Sequence, residues 1–481
     1  MRRFRRLVLA VAAVALVTAG AGAAVAAFRT PQACGGTGSV TTTAGTVADG
    51  ATFTIKCPAG AWNGTLWLYS HGYVAPGTRN PADYAQDRRT GSWLLRQGFA
   101  LAGSSYAATG WAVRQALPDQ VATRQAFSAH FGAPRQTIAW GASLGGMVTA
   151  GLIQDFPGQF SAALPLCGIL AGGAAAWNLG LDSDFAFQQL LDPAVQVVNI
   201  TSRAANRASA EGAAVAAQQT PPGRARLALV AALGDVPGWF TPLTPEPAPA
   251  DFAAREQNQF RWQTTADIPF GFDFRAELEA RAGGNPSSTA GVNFARQLRR
   301  SPDFAEVVAL YQAAGLNLNG DLAVLQRARP IVASPRAIGY LARNVSLDGD
   351  IRVPVLSMHT IGDGLIPVEN EQAYRAAADR AGNGGLLRQT FIDRAGHCAF
   401  TPAEIVAGAK VLLSRLRTGH WASAALRPAA LNASAAALGP SLNIFQAEAS
   451  GHAPVFPAAP AFQAFSPAAY PRPSGLPPSS R

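Results

Sequence analysis

From about Thr65 onward, short apolar runs alternate with longer segments of helical periodicity, and that rhythm leaves few architectures open. Residues 65–70, 98–105, 136–140 and 160–167 read as strands, while 83–97, 119–131 and 144–156 read as helices. Such alternation needs right-handed crossovers, which yield a mainly parallel sheet with helices on both faces. The rhythm stops between about Gly168 and Asp350, where the text is Ala-, Gly- and Pro-rich with scattered helical segments. It resumes with strands at 354–358 and 387–392 and helices at 369–380 and 402–416. The expected fold is therefore α/β, a mainly parallel sheet flanked by helices. Its core spans residues 65–167 and 351–417, and 168–350 form a large, mostly helical lid.

The 481 residues are 48% hydrophobic and only 14% charged, which excludes a mostly disordered chain. The formal charge of +10 falls by four, to +6, if the segment carrying Arg2, Arg3, Arg5 and Arg6 is removed. Lys56 and Lys410 are the two lysines, so the basic excess is scattered arginine, and a nucleic-acid partner is not expected. After the arginines come an apolar run from Leu7 to Val17 and an A-x-A site at Ala24-Val25-Ala26. That order reads as a secretory signal over residues 1–26. The run is too short for a membrane span, and the arginine pairs leave both the general and the twin-arginine export routes open. Residues 27–64 are expected to supply N-terminal strands. Residues 426–481, rich in Ala and Pro and poor in charge, are expected to form a low-order tail or cell-envelope spacer.

Four cysteines suit an oxidising compartment. Cys34 and Cys57 flank a strand-like stretch; Cys167 and Cys398 are far apart in sequence. Four cysteines allow three pairings, and spacing does not choose among them. No metal-ligand spacing occurs, and neither a metal nor a cofactor is expected.

Gly141-Ala142-Ser143-Leu144-Gly145-Gly146 matches G-x-S-x-G between a strand ending at Trp140 and a helix opening at Leu144. Ser143 would then sit on a tight strand-to-helix turn, where glycines on both sides allow a strained nucleophile backbone and close packing. The helix N-terminus would aim backbone N–H groups at an oxyanion beside Ser143. A serine hydroxyl needs a base, and the base needs an orienting carboxylate. Of six histidines, His397 follows a late strand in an Ala-Gly-His-Cys loop; His359, at a strand end, is the rival. Asp363, just past a strand in Gly-Asp-Gly-Leu-Ile-Pro-Val, leads over Asp393, with Asp348 and Asp350 behind.

From about Thr65 to Arg417 these features together resemble the α/β-hydrolase superfamily, in its branch of secreted serine esterases and lipases. The matching residues are His71-Gly72 after a strand, the elbow at Ser143, the Asp363 loop and Ala395-Gly396-His397. The resemblance implies Ser143 as nucleophile, Asp363 as acid and His397 as base, in the chain order of that superfamily. It also implies an oxyanion hole from the N–H groups of Leu144 and Tyr73. Prolyl-oligopeptidase-like enzymes are relatives. Tannase and feruloyl-esterase families bridge cysteines placed beside both Ser and His. Here Cys398 follows His397 but Ala142 precedes Ser143, so half of that pattern is present; Cys167 is the candidate substitute partner, and two buried reduced thiols are the alternative.

The insertion carries Trp177, Phe185, Phe187, Trp239, Phe240, Phe252, Phe260, Trp262, Phe270, Phe272 and Phe274. Taken singly, each aromatic fits the lid's own core better; as a group over a serine site they favour hydrophobic or aromatic esters. The leading expectation is a secreted carboxylic-ester hydrolase acting on a small-molecule or polymeric ester. A serine peptidase of the same fold and a catalytically inactive envelope or binding protein are the alternatives.

Overall fold

The computed structural model describes residues 31–344, 346–446 and 455–472. The expected signal segment lies outside them. Eleven strands are present: β1 (Thr41–Thr46), β2 (Thr52–Cys57), β3 (Thr65–Ser70), β4 (Ala100–Ser104), β5 (Gln136–Ala142), β6 (Ala162–Leu166), β7 (Val355–Gly362), β8 (Leu387–Ala395), β9 (Ile444–Gln446), β10 (Val455–Pro457) and β11 (Phe462–Gln463). Nine of them form one sheet in the order β1-β2-β4-β3-β5-β6-β7-β8-β11. From β4 to β8 all pairings are parallel, whereas β1, β2 and β11 add antiparallel edges. The fold is the mainly parallel α/β sheet that the alternation predicts.

β3 pairs with β4 on one side and β5 on the other, so the chain reverses its direction of travel across the sheet there. The crevice at such a reversal, beyond the strands' carboxyl ends, is where open α/β sheets bind ligands. Ser70 pairs with Gly141 at the last step of β3 and β5, which sets the loop after Ser70 beside the turn after Ala142. β3, β4, β5 and β6 are buried at nearly every position, as strands covered on both faces must be. Helices α1 (Arg88–Arg96), α2 (Val113–Phe131) and α3 (Leu144–Asp155) follow β3, β4 and β5. Asp87 caps α1 through its side chain, so that helix starts later than the periodicity suggests; α2 starts earlier, at Val113, and runs through Pro118. α3 packs with Val113, Phe127 and Leu341 on one face of the sheet. α1 and the helix Pro402–Thr418 cover the other.

Between β6 and β7 the chain is helical, beginning with α4 (Gly173–Leu190). It has a core of its own containing Phe185, Phe187, Phe272, Phe294 and Tyr311. Two successive π-helical stretches, Gln263–Asp267 and Phe270–Phe274, run over the carboxyl edge of the sheet.

Of the stretch 426–481 expected to be of low order, residues 447–454 and 473–481 lie outside the described residues, and the described part is ordered. It contains a helix, Pro428–Ala436, and β11, whose Phe462 pairs with Ile392 of β8. Tyr470 is buried, and Arg472 reaches Asp182 of α4 at 3.5 Å and donates to the Ser288 carbonyl at 2.7 Å. Backbone pairing orders this segment together with the burial of Leu431, Leu442 and Phe462 in the core on that face of the sheet.

Candidate active site

Ser143 stands between β5 and α3 with φ 60° and ψ −125°. Its N–H donates to the Leu166 carbonyl at 3.0 Å, holding the turn against β6. The flanking glycines are forced by contact. A Cβ on Gly145 would lie 2.0 Å from the Ser70 carbonyl oxygen, and one on Gly141 2.5 Å from the same atom. Three of the six described non-glycine residues with positive φ are Ser143, Cys167 and Cys398, so strained backbone gathers at this edge.

Asp363 follows β7 and is buried; its Oδ1 accepts from the N–H groups of Leu365 at 3.1 Å and Ile366 at 2.9 Å. Its Oδ2 meets Nδ1 of His397 at 2.7 Å. Burial works against its charge, but the charge and hydrogen bond of His397 and the His359 imidazole 3.6 Å away hold its carboxyl down at about 2. His397 is held through its neighbours. Gly396, at φ 107°, donates to the Gly362 carbonyl at 3.0 Å, and its own carbonyl accepts from Thr360 Oγ1 at 2.8 Å. Cys398 is bonded to Cys167, with Cα atoms 5.3 Å apart, and its sulfur lies 3.5 Å from His397 Nε2. Cys167 directly follows Leu166, the acceptor for Ser143 N–H, so the disulfide links the histidine loop to the strand beside the elbow. The second disulfide joins Cys34 to Cys57, with Cα atoms 5.2 Å apart. Donor atoms of Cys167, His397 and Cys398 fall within 4.8 Å of one another, but both sulfurs are spent in the disulfide and offer no thiolate to a metal.

The rival residues lie elsewhere. His359 is fully buried behind Asp363, with Nδ1 3.2 Å from Glu371 Oε1 and Nε2 2.9 Å from the Ile366 carbonyl. Burial opposes its charge, yet the carboxylates of Asp363, 3.6 Å away, and Glu371, 3.2 Å away, push it up to about 10. Asp393 is exposed on β8, and Asp348 is exposed beside Gln154 at the far end of α3 from Ser143. Asp350 pairs with Arg352 at 3.1 Å. His71 is buried in its loop, stacked on Tyr106 with ring centroids 3.9 Å apart.

A cavity of about 130 Å³ opens between this edge and the lid, lined by Ser143, Leu144 and Tyr73. Among the described residues no protein acceptor takes the N–H of Tyr73, and Leu144, at the first position of α3, has no intrahelical acceptor. A Cβ on Gly72 would lie 3.8 Å from Ser143 Oγ, which measures how closely the Tyr73 loop approaches. Of the lid aromatics, Trp177 and Phe270 reach the cavity, whereas Phe185, Phe187 and Phe272 pack within the lid. Among the cavity residues that sequence reasoning missed are Trp111, Asp184, Asp267 and Tyr470. A signal existed for Asp184, since Asp182-Ser183-Asp184 places two carboxylates in an otherwise apolar helix.

The strand order and the strand–turn–helix at Ser143 have the topology of the α/β-hydrolase fold. Over residues 47–219 the chain matches a family described as a tannase-like family of unknown function (DUF6351). It is 29% identical to o-phthalyl amidase of Xanthobacter agilis, an alignment covering 82% of this chain and 90% of that protein. Solved structures similar to it include the rice cell wall degrading esterase LipA of Xanthomonas oryzae, at 14% identity, 79% and 90% coverage and a TM-score of 0.37. Feruloyl esterase B of Aspergillus oryzae is similar at 12% identity, 79% and 82% coverage and a TM-score of 0.40.

Proposed function

We propose that this chain is an exported serine hydrolase that cleaves carboxylic esters through an acyl-enzyme. The observation that carries the reading is the 2.7 Å contact of His397 Nδ1 with the buried Asp363, on the sheet edge where Ser143 occupies its strained turn. Asp363 fixes the tautomer, leaving Nε2 to take the Ser143 proton. Ser143 Oγ then attacks the carbonyl carbon, and the N–H groups of Leu144 and Tyr73 receive the oxyanion. His397 returns the proton to the departing alkoxide. Water, deprotonated by the same imidazole, attacks the acyl-enzyme and frees the acid. The aromatic cavity wall of Trp111, Trp177, Phe270 and Tyr73 supports a hydrophobic or aromatic substrate group. Two disulfides support export, and among the described residues no helix is long and apolar enough to cross a membrane.

The likeness to an amidase favours amides as a second substrate class, with the same steps and an amine as leaving group. A fluorophosphonate probe, followed by a panel of p-nitrophenyl esters and matched anilides, tests both. Ser143→Ala is expected to lose labelling and to lower kcat about 10⁴-fold or more. Retained labelling moves the nucleophile elsewhere. An unlabelled wild type with no turnover leaves an inactive binding protein, and cleavage confined to aminoacyl anilides leaves a peptidase.

A further inference from the structure

The inner part of the cavity carries two carboxyl groups without hydrogen-bond partners among the described residues. Asp184 of α4 and Asp267 of the first π-helical stretch both line it. Asp184 is 5% exposed, and its carboxylate has no hydrogen bond or close ion pair among the described residues. Asp267 Oδ2 is buried without a partner. Gly271 makes the room, since a Cβ there would lie 2.3 Å from Asp184 Oδ1. Of the two neighbouring guanidiniums, Arg275 keeps Nη1 buried without a hydrogen bond among the described residues and lies over the Trp177 ring at 5.8 Å. Arg472 faces Asp182 at 3.5 Å, while Arg275 binds Glu279 at 3.2 Å and Asn285 at 2.8 Å. Arg275 attracts Asp184 through space, but Asp267 and Asp182 repel it, and burial together with that repulsion pushes the Asp184 carboxyl up to about 8. Burial alone pushes Asp267 up to about 7.

Two unpaired carboxyls inside an apolar cavity are costly to ionise, and a cation seated between them removes that cost. Trp111 and Trp177, in edge contact at 5.4 Å, and Phe270 supply aromatic surface that also attracts a cation. We propose that the cavity beside Ser143 selects substrates whose acyl or leaving half ends in a cationic amine, held between Asp184 and Asp267. This rests on the hydrolase reading above and specifies its substrate.

The test uses the full chain and p-nitrophenyl esters of 4-(aminomethyl)benzoate, 4-ethylbenzoate and 4-carboxybenzoate, which differ in one terminal group. The cationic ester is expected to exceed its neutral isostere in kcat/KM by about tenfold or more, with the anionic ester slowest. Asp184→Asn and Asp267→Asn are each expected to cut the cation-to-neutral ratio about fivefold or more, a ratio insensitive to the folded fraction. A neutral or anionic ester at or above the cationic one, or a ratio unchanged in both variants, overturns the inference. A binding arm is independent of turnover: benzylammonium and benzyl alcohol are titrated calorimetrically into Ser143→Ala protein. Tighter benzylammonium binding, weakened by adding Asp184→Asn, upholds the inference even if no ester is cleaved. Equal affinities overturn it. Failure of fluorophosphonate labelling with benzylammonium binding intact overturns the hydrolase reading alone.

Discussion

His359 lies behind Asp363 in the protein interior: its Nε2 is 3.6 Å from the same Oδ2 that His397 Nδ1 meets at 2.7 Å. One carboxylate oxygen thus serves two imidazoles, one half-buried and one with no exposure at all. The arrangement explains how a fully buried acid stays ionised.

A stability prediction follows for His359. Its folded pKa of about 10 lies above the ordinary 6.5, so the folded state holds an extra proton between those values. That stabilisation is complete below pH 6.5 and is lost as pH rises toward 10. His359→Gln is expected to remove this part of the slope. Melting curves of both proteins between pH 6 and 10 measure it, and parallel slopes would refute it.

Asp363→Asn keeps the shape of the acid but lets His397 adopt the wrong tautomer. Under the proposed mechanism kcat falls about 10⁴-fold while the fold is retained. Because Asp363 is held near 2, its protonation is not expected to limit wild-type activity until well below pH 4. Steady-state kinetics with circular dichroism as the fold control decide it.

The Cys167–Cys398 bridge spans 231 residues of sequence and anchors the residue next to His397. The double variant Cys167→Ala, Cys398→Ala is expected to lose about 2–5 kcal/mol of stability. Under the proposed mechanism it also loses more in kcat than in KM, since the loop that holds the base loosens. Denaturant melts and kinetics on the same sample read the two effects separately.

Arg394 and Glu404 form a buried two-pronged pair, at 2.6 and 3.0 Å. Glu404 also closes the capping box of the helix Pro402–Thr418 with Thr401. Arg394→Met strands that carboxylate, at a cost of about 3–5 kcal/mol. A loss under about 1 kcal/mol in denaturant unfolding would show the pair to be dispensable.

At Gly145 the expected result is failure to fold, because the added methyl of Gly145→Ala would meet the Ser70 carbonyl of β3. Overpacking against backbone costs about 3 kcal/mol or more, and the soluble yield reports it.

Legibility in the sequence tracked how local each constraint was. The turn at Ser143 was readable because glycines, strand and helix all fall within about ten residues. Asp363 and His397 were readable because each follows an apolar strand in a glycine-bearing loop, and the structure brings the two together. The cysteine pairing was not fixed by spacing, since 231 residues of intervening chain say nothing about proximity. His359 looked like a competing base because its strand position resembles a site position; its burial between Asp363 and Glu371 is a tertiary fact. Asp184 and Asp267 reach one cavity because α4 packs on the second π-helical stretch, which in turn packs on the first, and no periodicity encodes that. The C-terminal stretch was misjudged because a two-residue strand is held by main-chain pairing, which composition does not report.

Tyr470 closes one side of the cavity, and two residues later Arg472 grips the lid. One wall of the cavity beside Ser143 is therefore supplied by the segment that follows β11, not by the helical insertion alone. A product clipped upstream of Tyr470 would keep Ser143, Asp363 and His397 and yet lack a wall. Cleavage there would accordingly reshape the cavity before it disturbed those three residues.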